Sequence, residues 1–208
     1  MAETRLQRLP AAHLMETPVG RIPRHVIPFL YPSRYCQSDR LGRLARSKFG
    51  RIRNPFQKAA AISGWIYRNV QYLGGSTTWQ TSACDTVTER AGVCRDFAHL
   101  GIALCRALSI PARYFTGYAH RLDPPDFHAC FEAYVGRWWL LFDPTRRAPL
   151  NGLVRIATGR DAADASVATI FGPATCSSVK VSCAPLADGF IPLSLADLAD
   201  EGLCLDAA

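Results

Sequence analysis

The sequence contains no long apolar run. None of its segments approaches the ~20 consecutive apolar residues that a membrane-spanning helix needs, which excludes a transmembrane anchor. The N-terminal segment is interrupted by Arg5, Arg8, His13 and Glu16, so it also lacks the continuous apolar core of a secretory signal peptide. We therefore expect a cytoplasmic protein that does not contact a membrane.

Cysteine is too sparse and too scattered for a disulfide framework or a zinc knuckle. The eight cysteines lie at positions 36, 84, 94, 105, 130, 176, 183 and 204, and no two of them have the short gap that is typical of zinc ligands. In a reducing compartment most cysteines should be buried, reduced and inert. We expect neither a metal nor a cofactor.

Lysine is also scarce. Only three of the 24 basic residues are lysine, so arginine supplies most of the positive charge behind the net charge of +7. The charge is uneven: residues 1–58 carry twelve basic and three acidic residues, whereas the remainder carries twelve and fourteen. A basic arm of this kind can bind nucleic acid or an anionic surface. However, arginine is spread over the whole chain without a recognition motif, so we expect no nucleic-acid partner.

Turn residues and apolar periodicity predict one domain of ordinary size between two less regular ends. Four prolines interrupt residues 1–28, which we expect to form an extended or poorly ordered basic arm. The main domain should occupy residues 29–175, and residues 176–208 should form a C-terminal strand and a tail without an assigned role. The predicted helices are 41–49, 54–70, 84–91 and 95–109, and the predicted strands are 112–118, 127–135, 138–143 and 179–183.

Cys94 is the first candidate for chemistry. A loop that contains Gly92 delivers it to the start of a strongly helical segment, whose apolar residues recur at helical spacing. The free N–H groups and the positive end of the helix dipole favour a thiolate there, and the thiolate is the nucleophilic form of cysteine. Cys94 is therefore a candidate for covalent catalysis if a base and an orienting carboxylate reach it.

Residues 127–143 predict a β-hairpin with a two-residue turn at Gly136-Arg137, so that the numbers of opposing residues sum to 273. Strand alternation then gives one purely apolar face and one mixed face. On the mixed face, Asp143 lies diagonally opposite His128, about 7–8 Å away between Cα atoms and within side-chain reach. The first strand's residues on that face are His128, Cys130, Glu132 and Tyr134.

A carboxylate that accepts a hydrogen bond from one imidazole nitrogen leaves the other nitrogen free as a base. If the helix that begins at Cys94 packs against the mixed face, Cys94, His128 and Asp143 form a nucleophile, a base and an orienting group. The alternative is that His128 and Asp143 are an incidental, solvent-facing pair. We interpret His99 as a hydrogen-bonded core residue, and His120 has no implied partner.

Three segments then become recognisable: AGVCRDFAHLGIALCRALSIPARYFTGY, DFHACFEAYVGRWWLLFDPTRRAP and IATGRDAADASVATIFG. They resemble the transglutaminase-like superfamily, and in particular its bacterial branch of cysteine proteases, over roughly residues 30–172. The resemblance implies an α+β, papain-like fold in which the helix of the nucleophile packs on an antiparallel sheet. It also implies that Cys94 is the nucleophile, His128 the base and Asp143 the orienting residue. The chain departs from the family at Cys130, where tryptophan is common.

The expected activity is thiol-dependent attack on a peptide or carboxamide carbonyl of a protein or peptide substrate. Trp79 and Gln80 are candidate substrate contacts or second oxyanion donors. With water as the acyl acceptor the protein would be a cysteine protease or amidase, which we favour. With an amine acceptor it would be a protein-glutamine transglutaminase, and a domain that has lost turnover would only bind a partner. Metal-dependent chemistry is disfavoured by the ligand spacings, and the sequence leaves the oligomeric state open.

Overall fold

The computed structural model describes residues 4–10, 12, 14–170, 172–186, 188–198 and 201–207. In these residues the helices precede most strands of a six-stranded sheet. The α-helices of these residues are α1 (Ser38–Phe49), α2 (Pro55–Asn69), α3 (Ala83–Glu89) and α4 (Cys94–Arg106). The strands are β1 (Thr4–Pro10), β2 (Gln71–Tyr72), β3 (Ala91–Gly92), β4 (Ala112–Ala119), β5 (Phe127–Val135), β6 (Trp138–Phe142), β7 (Leu153–Gly159) and β8 (Glu201–Ala207). None of the described helices is long and apolar enough to cross a membrane.

The main sheet has the strand order β1-β8-β6-β5-β4-β7, and each neighbouring pair is antiparallel. Strands β2 and β3 form a separate, short parallel pair. Helix α4 packs on the neighbouring strands β4 and β5, and α1, α2 and α3 pack around α4. This arrangement confirms the predicted α+β fold, in which the helix that carries Cys94 lies on an antiparallel sheet.

At the starts of α2 and α4, a side chain satisfies a free backbone N–H group. Asn54 accepts a hydrogen bond from the Gln57 backbone N–H at 3.1 Å, which starts α2 as predicted. At α4, the Asp96 carboxylate accepts from the Val93 backbone N–H at 2.9 Å. This second bond fixes the turn that places Cys94 at the first helical position.

The predicted hairpin is confirmed in turn and register. Val135 lies opposite Trp138, and Glu132 lies opposite Leu141. Gly136 and Arg137 both have positive φ angles, 58° and 78°, as a type I′ turn requires. The turn therefore sets which side chains of β5 and β6 share a face.

The prediction that α4 covers the mixed face of the hairpin is wrong. The helices pack instead on the apolar face, where Ala129, Phe131 and Ala133 join the core with Leu100 and Leu104 of α4. The mixed face is covered by leucines from the C-terminal part of the chain (Leu193, Leu198, Leu203 and Leu205), which pack against Cys130 and Leu141. The apolar stripe of α4 gains more by burying the purely apolar face.

Besides the two-residue strands β2 and β3, three seven-residue strands of the described chain, β1, β7 and β8, lie where the sequence pattern predicts none. Within the segment predicted as an extended or poorly ordered arm, β1 pairs with β8, and β7 flanks β4 in a segment that the pattern indicates is a loop. The strand predicted at 179–183 is wrong, because that segment forms no strand and the C-terminal strand is β8. Leu203 and Leu205 of β8 pack on one side of the sheet, and Cys204 packs on the other. Strand β8 therefore buries side chains on both faces, whereas no residue of the 179–183 segment is buried.

Gly101→Ala should destabilise the protein by up to about 2 kcal/mol, because overpacking a tight core costs about 1–3 kcal/mol and the helix preference of alanine recovers about 1 kcal/mol. A Cβ atom at Gly101 would lie 2.5 Å from Cε1 of Phe131, which is fully buried, and this clash should outweigh the ~1 kcal/mol that alanine normally gains in a helix. Urea unfolding measures the change. Gly20→Ala is the matched control, because nothing lies within 4 Å of its Cβ position. An unchanged or raised free energy of unfolding for Gly101→Ala would show that the interface is not tight.

Candidate active site

The centre of the site is a buried hydrogen bond between His128 and Asp143. Nε2 of His128 lies 2.9 Å from Oδ2 of Asp143, and each side chain is only 1% exposed. The other carboxylate oxygen accepts hydrogen bonds from the backbone N–H and the hydroxyl of Thr145, at 2.8 and 2.7 Å. The carboxylate is thus fully satisfied, as a buried charge must be. The alternative of a solvent-facing, incidental pair is excluded.

The hydrogen bond also determines which imidazole nitrogen is available for chemistry. Because Asp143 accepts at Nε2, the proton on that nitrogen is held, and the tautomer is fixed. Nδ1 of His128 is buried and has no hydrogen-bond partner among the described residues. An unpartnered, buried nitrogen of this kind is free to accept or donate a proton.

The pair shifts the ionisation of both residues. Burial alone would lower the pKa of His128, but the charges of Asp143 and Cys130 and the hydrogen bonds with both side chains raise that pKa well above 6.5. Burial alone would raise the pKa of Asp143, whereas the charge and hydrogen bond of His128 and the donors of Thr145 lower it. The geometry therefore favours an imidazolium paired with a carboxylate.

Cys94 lies at the first position of α4 and is partly exposed. Cys94 and His128 both affect the pKa of the Tyr72 hydroxyl and that of the Cys130 thiol electrostatically. Burial raises the pKa of Tyr72 and Cys94 raises it further, while Arg147, His128 and a hydrogen bond with the Cys94 backbone lower it. Tyr72 therefore lies close to Cys94 and within electrostatic range of His128.

Tyr72 is a site residue that the sequence analysis missed. It ends β2, and its parallel pairing with Gly92 places it beside the turn that precedes Cys94. The guanidinium of Arg147 covers its ring at 4.5 Å from the ring centroid. A two-residue parallel strand has no periodicity, so no pattern in the sequence could have identified it.

Comparison with known proteins agrees with this geometry. The family model of the transglutaminase-like superfamily matches residues 42–144. A solved structure, of a candidate cysteine protease from Cytophaga hutchinsonii, is 59% identical in sequence and superposes with a TM-score of 0.93. The match covers 97% of this chain and 70% of that one. The chain belongs to the transglutaminase-like superfamily.

Two curated proteins are similar in sequence to parts of this transglutaminase-like chain. An uncharacterised protein from Mycobacterium leprae is 28% identical over 144 residues, which are 65% of this chain and 51% of that protein. An uncharacterised protein from Mycobacterium tuberculosis is 35% identical over 118 residues, which are 50% of this chain and 38% of that protein. The chain thus spans about half the length, or less, of these curated relatives.

Cys130 gives this transglutaminase-like site an unusual neighbour. The potential ligand atoms of His128, Cys130 and Asp143 all lie within 4.8 Å of one another and are buried. Together they are a donor set that could hold a metal ion, which the sequence spacing did not indicate because two of them meet across the hairpin. Burial raises the pKa of Cys130 to about 12, with a smaller contribution from the charge of Asp143, so its thiol is protonated and a poor ligand at neutral pH.

The other predicted residues lie around the site. Trp79 is 65% exposed and lines a cleft beside the start of α4, and the side chain of Gln80 is exposed. Their roles as oxyanion donors stay predictions. His99 is buried, and its Nε2 accepts a hydrogen bond from the Ala162 backbone N–H at 3.1 Å. Burial lowers the pKa of His99 to about 3, in agreement with its interpretation as a core residue.

The ionisation of the pair makes a prediction about stability and pH. Because the pKa of His128 is raised in the folded protein, its contribution to stability is complete below about pH 6.5 and is lost as the pH rises through the folded value. The loss of stability caused by Asp143→Asn should therefore be larger at about pH 6 than at about pH 9. Urea unfolding of both proteins at the two pH values measures it.

Asp39→Asn serves as the control, because Asp39 is exposed at the start of α1. Its effect should not change between the two pH values. A loss for Asp143→Asn that is independent of pH would mean that His128 does not titrate as the charged partner of Asp143.

Proposed function

We propose that this protein is a cysteine hydrolase that cleaves peptide or carboxamide bonds, with Cys94 as nucleophile, His128 as general base and acid, and Asp143 as the orienting residue. The observation that carries the proposal is the buried His128–Asp143 hydrogen bond, which leaves Nδ1 of His128 without a partner. A structural sheet face has no need of such a pair, whose burial costs free energy unless every group is satisfied.

In the proposed acylation step, the Cys94 thiolate attacks the carbonyl carbon of the substrate and a C–S bond forms. The backbone N–H of Cys94 stabilises the negative oxygen. The Tyr72 hydroxyl joins Trp79 and Gln80 as a candidate second donor, because its raised pKa keeps it protonated. Nδ1 of His128 donates its proton to the leaving nitrogen, the C–N bond breaks, and a thioester remains.

In the proposed deacylation step, a water molecule gives a proton to Nδ1 of His128 and attacks the thioester. The C–S bond then breaks, and the Cys94 thiolate and a carboxylic acid are released. Asp143 keeps the imidazole in one orientation through both steps, since its bond to Nε2 does not involve the proton that moves.

Hydrolysis is favoured over amine transfer because the 59% identical relative is itself a candidate cysteine protease. The substrate class that we propose is a protein or peptide. A domain that has lost turnover is disfavoured, because the three side chains and the support from Thr145 are all present. The cytoplasmic location stays a prediction.

Iodoacetamide at mildly acidic pH should label Cys94 faster than any other cysteine, because it is the proposed nucleophile and begins helix α4. Mass spectrometry of the peptides measures each rate. Cys176 is the internal control, because it is exposed and lies outside the proposed site. His128→Ala should slow the labelling of Cys94 towards that of Cys176. Equal labelling rates of Cys94 and Cys176 in the protein without substitutions would contradict the proposal.

The acyl acceptor is tested with glutamine-containing peptides in the presence of a dansylated amine. We expect release of acid or of a cleaved peptide to exceed incorporation of the amine. Cys94→Ala should lower either reaction by at least about a thousandfold, as removal of a catalytic nucleophile does, whereas Cys176→Ala should leave it unchanged. Amine incorporation that outruns hydrolysis would make the protein a transglutaminase.

A further inference from the structure

A cleft of about 520 Å³ lies beside the start of α4. Its walls come from the segment before α1, the loop before α3, the helix residue that follows Cys94, strand β4 and the segment after β7. Two arginines, Arg34 and Arg95, line it, and none of the acidic side chains that the structure describes does. The volume is that of an ordinary ligand pocket.

The two arginines differ in how their charges are used. Arg95 donates hydrogen bonds to Thr77 and to the carbonyl of Thr78, and it pairs with Asp96 at 3.4 Å. Arg34 is exposed and forms no ion pair with any described carboxylate. The cleft therefore contains one positive charge that the protein does not neutralise.

Aromatic rings hold the guanidinium of Arg34 at the cleft. Its Cζ atom lies 5.3 Å from the ring centroid of Tyr35 and 5.9 Å from that of Trp79, within the range of cation–π attraction. The Tyr35 hydroxyl in turn donates to the Trp79 carbonyl at 2.9 Å. The cation is thus positioned over a fixed apolar surface.

The opposite wall is also fixed. The backbone N–H of Tyr35 donates to Asp161 at 2.9 Å, and the hydroxyl of Thr116 donates to the Ala165 carbonyl at 2.8 Å. The hydrogen bond from Ala162 to the buried His99 anchors the turn between them. A cleft whose walls are held by hydrogen bonds within the protein does not have to be ordered when a ligand binds.

The cleft is adjacent to the proposed nucleophile. Arg95 directly follows Cys94, and Tyr114 on the cleft wall is close enough for the charge of Cys94 to act on its hydroxyl. A peptide bond at Cys94 would therefore place a neighbouring side chain of the substrate in this cleft.

We propose that the cleft is a specificity subsite for an acidic side chain of the peptide substrate, whose carboxylate binds the guanidinium of Arg34 while its methylene groups pack on Tyr35 and Trp79. A guanidinium is suited to this role because it binds a carboxylate with two parallel hydrogen bonds. The inference rests on the proposed function and adds the substrate class to it.

The test is cleavage of a peptide library derived from a whole proteome, with the cleavage sites read by mass spectrometry on both sides of the broken bond. We expect Asp and Glu to be enriched at one position within two residues of that bond. Synthetic substrates with Gln in place of that Glu should lose about tenfold in kcat/KM, the low end for a hydrogen bond to a charged group. Raising NaCl from about 50 to about 500 mM should weaken the preference, because the pair is exposed.

Variants of Arg34 assign the preference to its charge. Arg34→Gln should abolish the enrichment of acidic residues, Arg34→Lys should keep part of it, and Arg34→Glu should replace it with a preference for basic residues. Arg43→Gln, on the exposed side of α1, is the matched control and should retain the full preference. Iodoacetamide labelling of Cys94 should be equal in all four variants, which shows that the nucleophile is intact.

The two proposals fail differently in this experiment. Cleavage that depends on Cys94 but has no acidic preference, or a preference that survives Arg34→Gln, overturns the subsite and leaves the proposed function in place. If no cleavage depends on Cys94, as judged by Cys94→Ala, the proposed function is overturned, and the subsite with it.

Discussion

The molecule depends on how closely α4 approaches β5. At Gly101 there is no room for a Cβ atom beside the ring of Phe131, so the helix is fixed on the strand at that point. Cys94 lies seven residues before Gly101, about 10 Å along a helix. His128 lies three residues before Phe131, about 10 Å along a strand. Because these two lengths match, this packing contact sets where the start of α4 lies relative to His128.

The buried pair of His128 and Asp143 sets the second constraint. Removing two ionisable groups from water costs several kcal/mol each, and only full hydrogen bonding offsets that cost. Asp143 achieves this with three donors, whereas His128 keeps one nitrogen without a partner. That nitrogen is a local weakness in the fold, of the kind that functional sites retain. The leucines of the C-terminal segment exclude water from the side of the sheet that carries it.

The hairpin was predictable because its signals are local: Gly136-Arg137 fixes the turn, and alternation then fixes the faces. The face on which α4 packs was predicted wrongly, since alternation identifies two faces without stating what covers each. Tyr72 escaped prediction because it reaches Cys94 through a parallel pair of strands too short to show a period. The cleft lined by Arg34 and Arg95 was not predicted either, because segments distant in sequence build it. Contacts between neighbours in the chain are thus recoverable from sequence, and those between distant segments are not.

The pairing of β1 with β8 joins residues 4–10 to residues 201–207, with almost the whole sequence between them. Closing so long a loop makes folding slow, because the entropy is lost before the contacts form. Until β8 arrives, β6 has an open edge, and that edge belongs to the hairpin that carries His128. An open edge is a template for pairing with another chain. The strand that completes the sheet therefore also protects the newly made protein from aggregation, and refolding yield should fall as protein concentration rises.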